Sequence, residues 1–135
     1  MSEGEVSRRT WMAAIVVLHL VLSIVHGGIH DGAHVPLSRA ASLFVFIVIL
    51  GGPLVGLSLL WRFERTGSWL VGVTMAASLV FGLLNHFVLP SPDHVAQVAR
   101  QWRPAFAGTA VLLAVTEALA AGLAFRVAAE GKLTP

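Results

Sequence analysis

Four stretches of this chain are almost free of charge, and each is about as long as a bilayer is thick. They cover residues 10–29 between Arg9 and Asp31, 40–61 up to Arg62, 67–89 between Arg65 and Asp93, and 104–127 after Arg103, where Glu117 is the one acid. A helix needs about 20 consecutive, mostly apolar residues to cross the hydrocarbon core. With 135 residues in all, 56% of them hydrophobic, the four stretches leave little except connecting loops. The expectation is a single all-α domain over 1–135, an integral membrane up-and-down four-helix bundle.

Charge sets the expected orientation, because Lys and Arg collect in short cytoplasmic loops. Arg8, Arg9, Arg62, Arg65, Arg126 and Lys132 fall at one end of such a bundle, and Arg39, Arg100 and Arg103 at the other. Both N- and C-termini are therefore expected to be cytoplasmic, in a multi-pass protein of the cell's inner (cytoplasmic) membrane. Trp11, Trp61 and Trp69 then mark the inner interface and Trp102 the outer one. Arg8-Arg9 ahead of an apolar run also fits the start of a signal peptide, but His19 interrupts the run and no convincing small-x-small cleavage site follows. An uncleaved helix is the expectation.

The absence of cysteine excludes disulfides, thiolate metal sites, iron–sulfur clusters and covalent c-type haem. A net charge of +2, with no basic run longer than Arg8-Arg9, argues against nucleic acid as a partner. The expected partners are the lipid bilayer and, through small-residue faces, a second copy or another membrane subunit. Those faces are Gly52 with Gly56, and Ala110, Ala114, Ala118 and Gly122 at intervals of four. Pro53 removes one hydrogen bond from the middle of the second helix, a defect tolerated in lipid where a neighbour satisfies the freed carbonyl. After Pro90 and Pro92, the segment 93–102 places Val95, Val98 and Trp102 at helical spacing and predicts a short amphipathic helix on the outer surface. Residues 1–7 and the tail after Ala129 carry no readable chemistry.

Candidate chemistry converges on the outer face. His26, His30, Asp31 and His34 close the first stretch, and His86, Asp93 and His94 close the third. The first and third helices run the same way in such a bundle, so His26 and His86 lie at similar depth. His19, His26 and His30, separated by seven and four residues, share one narrow sector of the first helix with Ser23. Gly27, Gly28 and Gly32 argue against an unbroken helix there. On the third helix Thr74, Ser78 and Asn85 recur along one face, with Gly82 and His86 on an adjacent row. Glu117 lies well inside the fourth helix, where an ionised carboxylate is expensive unless paired, and His19 at similar depth is its expected partner. His19, Asn85 and Glu117 would form a polar track below the outer cluster.

Imidazole with carboxylate suits zinc, iron, manganese or copper(II), while zero cysteines and three methionines argue against a copper(I) site. A divalent metal ion is the leading reading. One alternative is b-type haem held between His26 and His86, in an electron-transfer protein. The other is a non-catalytic accessory or scaffolding subunit whose histidines are ordinary interfacial or core residues. Catalysis has the weakest support: there is no Gly-x-Ser-x-Gly elbow, no HExxH and no phosphate-binding glycine loop.

Overall fold

The computed structural model describes residues 3–130, which form four long helices and, among the described residues, no strand. Lys132, part of the charge asymmetry, lies outside the described residues, as do Met1, Ser2 and the rest of 131–135. The helices are α1 (Glu3–Gly32), α2 (Arg39–Leu60), α3 (Glu64–Val88) and α4 (Arg103–Glu130). All four are long and apolar enough to cross a membrane. Their outward faces carry exposed Val17, Val21, Ile24, Phe46, Ile47 and Leu112 among others, an apolar surface that water would not tolerate and acyl chains would cover.

Contacts at successive depths show the helices alternating in direction. At one end Arg8 pairs with Glu130 and Arg9 with Glu64. Above them Met12, Val16, Leu60, Val71 and Ala124 form the apolar core. At mid-depth His19 meets Ile49 and Glu117, and at the far end His26 and His30 meet His86 and Phe106. Helix α4 packs along α1 and α3, while α2 packs mainly on α3, so α1 and α3 are diagonal.

The α1 face turned inward is Met12, Val16, His19, Ser23, His26 and His30, at alternating spacings of four and three. The same 3.5-residue period brings Phe106, Ala110, Leu113, Glu117, Ala120, Ala124 and Val127 inward on α4. That is the seam of left-handed helix packing. The expected small-residue stripe of α4 departs from it, because a spacing of four advances about 40° per step on a 3.6-residue helix. Ala110 is buried, but Ala118 and Gly122 end on the exposed face. Gly52 and Gly56 do serve close packing: a Cβ on Gly56 would lie 2.7 Å from Val71 Cγ2, and one on Gly67 only 2.6 Å from Leu60 N.

Two local departures from α geometry matter for the site. Residues Val45–Gly51 of α2 and Leu84–Val88 of α3 are π-helical, each turn admitting an extra residue. Pro53, following the first, has no N–H for the carbonyl of Ile49 four residues back, and His19 Nε2 lies 3.2 Å from that oxygen.

Helix α1 runs unbroken through Gly27 and Gly28 to Gly32, against the expectation of a break. It stops at His34, a non-glycine residue with φ of 55°, while Val35 N–H bonds back to His30 O at 3.0 Å. This is the left-handed C-terminal turn in which glycine is usual and histidine occasional. The segment 93–102 differs from the expected amphipathic helix. It holds one 3-10 turn, Val95–Gln97, among bends, because Asp93 and Val98 are both drawn into the interior and one continuous helix face does not serve both.

Candidate metal centre

His26 and His30 sit one turn apart on the buried stripe of α1, with ring centroids 4.8 Å apart. His86 comes from the π turn that ends α3, 5.0 Å from His26 and 5.9 Å from His30. All three are buried, and ring nitrogens, one from each, lie within 4.8 Å of one another. The buried ring of Phe106 packs against all three imidazoles at 4.8 to 5.2 Å and closes one flank.

His26 and His86 each have Nδ1 engaged by a protein acceptor, which fixes the nitrogen that carries the proton in those two rings. Thr109 Oγ1 gives its own proton to the α4 backbone, at 2.8 Å from Ala105 O, so it must accept from His26 Nδ1–H at 2.7 Å. The Asp93 carbonyl can only accept, so His86 donates to it from Nδ1 at 3.1 Å. His30 turns Nε2 toward the Asp93 carboxylate, 3.1 Å from Oδ1, a close approach though not one aligned as a hydrogen bond. The other nitrogens of those two rings, His26 Nε2 and His86 Nε2, then carry lone pairs. His26 Nε2 and His30 Nδ1 are buried and without a hydrogen-bond partner among the described residues. Leaving such a group unmatched costs about 1–3 kcal/mol.

Asp93 is buried in the loop after α3, with His86 Nδ1 also 3.4 Å from its Oδ1. Burial works to raise its pKa, but the imidazoles of His30 and His86 beside it outweigh that and hold the carboxyl well below the usual carboxylate range. Asp93 thus stays an anion against two histidines, the position in which outer partners orient metal-binding imidazoles.

Of the outer residues expected in the cluster, the structure brings together His26, His30, His86 and Asp93. It does not bring Asp31, His34 or His94 to them. Asp31 is exposed on the opposite side of α1, one residue past the inward stripe. His34 is exposed, its backbone committed to the left-handed turn. His94 turns Nδ1 to the N–H of Ala96 at 3.1 Å and caps the 3-10 turn. Asn85 leaves the expected polar track for a bond to Phe81 O of its own helix, because the π turn rotates His86 into the place α spacing assigns to residue 85. Thr109 went unidentified as a site residue in the sequence, where nothing pairs it with a residue 83 positions away.

Deeper in the bundle, His19 Nδ1 lies 3.7 Å from Glu117 Oε1, both side chains buried. A cavity of about 130 Å³ runs between the two levels, reaching His26, His30, His86 and Asp93 at one end and Glu117 at the other. It is small beside the roughly 300–1,000 Å³ of sites for organic ligands, and suits an ion with water. No protein family, curated protein or solved structure matches the chain. The three-histidine group could hold a metal ion.

Proposed function

We propose that the protein is a multi-pass protein of the cytoplasmic membrane that binds one divalent metal ion through His26, His30 and His86 at the outer end of its bundle. The observation that carries this reading is the set of three buried imidazoles whose ring nitrogens, one from each, lie within 4.8 Å of one another, with His26 and His86 each donating Nδ1–H to a protein acceptor and His30 set against the Asp93 carboxylate. Metal-binding histidines are held in this way, their second N–H donated to a carboxylate, a carbonyl or another polar group. Three neutral imidazoles with room for a fourth ligand suit zinc first and copper(II) or iron(II) after it. Zinc at about 2.0–2.1 Å from each nitrogen draws them to roughly 3.4 Å apart. The nitrogens would therefore have to close by up to about 1.4 Å from the 4.8 Å limit seen here.

Haem fits the packing poorly. Its macrocycle would have to lie between His26 and His86, whose rings are already in edge contact, with His30 and Phe106 filling the flanks. The orientation rests on the distribution of arginines, with Arg8, Arg9, Arg62 and Arg65 inside. No catalytic residue is assigned.

The test is metal content. Protein purified in detergent and dialysed against zinc should retain about one equivalent, and His26→Ala or His86→Ala should retain none. No bound metal in the parent protein would leave the accessory-subunit reading in its place.

A further inference from the structure

The His19–Glu117 pair takes no part in the metal site, and its geometry raises a proton-counting question. Pro53 cannot satisfy the carbonyl of Ile49, and that oxygen accepts from His19 Nε2. The acceptor fixes the tautomer. With its proton on Nε2, a neutral His19 presents a lone pair at Nδ1, and the atom facing it is Glu117 Oε1 at 3.7 Å. A lone pair against a carboxylate is repulsive, and the buried Nδ1 has no hydrogen-bond partner among the described residues. One further proton on the carboxyl resolves the contact and leaves both groups neutral in the bundle interior.

Among the described residues the surroundings offer no other charge for this role. The side chain facing Glu117 from α1 is His19, α2 presents the backbone of Ile49, and α3 presents Ser78, whose hydroxyl bonds to Thr74 O. The other titratable groups on the cavity are His26, His30, His86 and Asp93 at its outer end. Seven residues of α1 separate the two levels, about 10 Å at 1.5 Å per residue. A cavity of about 130 Å³ has room for several waters at about 30 Å³ each.

We infer that His19 and Glu117 form a proton-binding site joined by this cavity to the three-histidine centre, so that a metal ion entering the outer end drives the proton out. The inference rests on the metal reading for its coupling, but not for the proton site itself. In the step, the Glu117 O–H bond breaks, the electron pair stays on the carboxylate, and the proton passes along water to the outer face. The dication supplies the compensating charge, and nothing is oxidised or reduced.

Two measurements on the full chain test this. Zinc is titrated calorimetrically into the parent protein and Glu117→Gln in buffers of different ionisation enthalpy, which counts protons released per zinc. The variant should bind the same one equivalent and release about one proton fewer. Equal proton release by the two proteins overturns the coupling. The second measurement is the infrared band of a protonated carboxyl in the zinc-free parent protein. It should vanish in Glu117→Gln, titrate with bulk pH and shift in deuterated water. Carboxyl-labelled glutamate assigns the band if the variant does not fold. A pH-indifferent band, or none, overturns the proton site. Failure of zinc to bind the parent protein removes the metal reading and the coupling together, while the infrared result still decides the proton site.

Discussion

The two halves of this bundle use the same four helices to opposite ends. Toward the chain termini the backbones touch: Gly67 admits no Cβ because Leu60 N and Gly56 O would lie 2.6 and 2.7 Å from it. Toward the other end the helices part around a cavity, two stretches turn π-helical, and buried imidazole nitrogens go without partners among the described residues. In lipid, burying a leucine against another helix gains little over leaving it in acyl chains, so close van der Waals contact must supply the association. The tight half supplies it, and the open half can then keep polar groups poised for a ligand. Stability and candidate function are thus separated by depth.

The sharpest way to break this contrast is to remove a histidine. His26→Ala should abolish stoichiometric zinc binding while helix content stays intact, because the close-packed half is untouched. A variant that loses its fold as well would show that the open half is also structural.

Gly67→Val comes next, with an expected loss of about 3 kcal/mol or more, since the added side chain meets backbone that cannot yield. Thermal unfolding in detergent measures it. The matched change in the open half is Gly27→Ala, where nothing lies within 4 Å. It should be neutral or stabilising by about 0.5–1 kcal/mol. Similar effects at both glycines would erase the distinction between the halves.

Smaller changes sharpen the site. Thr109→Val leaves His26 without the acceptor that fixes its tautomer, and zinc affinity should fall by about 10–100-fold. Asp93→Asn should act similarly and also alter the acid response. Because the folded protein holds this carboxyl below its ordinary range, its stabilisation is full above about pH 4, the unfolded value, and is lost as acid protonates it. The parent protein's melting temperature should therefore drop more steeply below about pH 4 than the variant's. The smallest effect is expected for His34→Gly, which keeps the left-handed turn and should leave zinc affinity unchanged and stability within about 0.5 kcal/mol. A clear loss of zinc there would return His34 to the site.

Much of the architecture was legible in the chain because length and charge leave few options. Four nearly uncharged stretches bounded by Arg or Asp read directly as helices, and seven- and four-residue spacings place His19, His26 and His30 on one stripe. The pairing of His19 with Glu117 followed from depth alone. What failed were inferences that carried ideal α spacing, or mere nearness in sequence, to the end of a helix. Asn85 was assigned to the polar face with His86 on an adjacent row, and His34 and His94 were counted as cluster members although local turns hold them elsewhere.

By itself, then, the sequence determined four helices and the end of the bundle at which the histidines gather, since hydrophobic length and periodicity are local properties. Which three imidazoles converge, and which nitrogen of His26 and His86 is free, was decided by tertiary structure. Those choices depend on one extra residue in a π turn and on acceptors supplied from distant helices and loops, the Thr109 hydroxyl and the carbonyl and carboxylate of Asp93. No spacing along a single chain encodes where such groups meet in space.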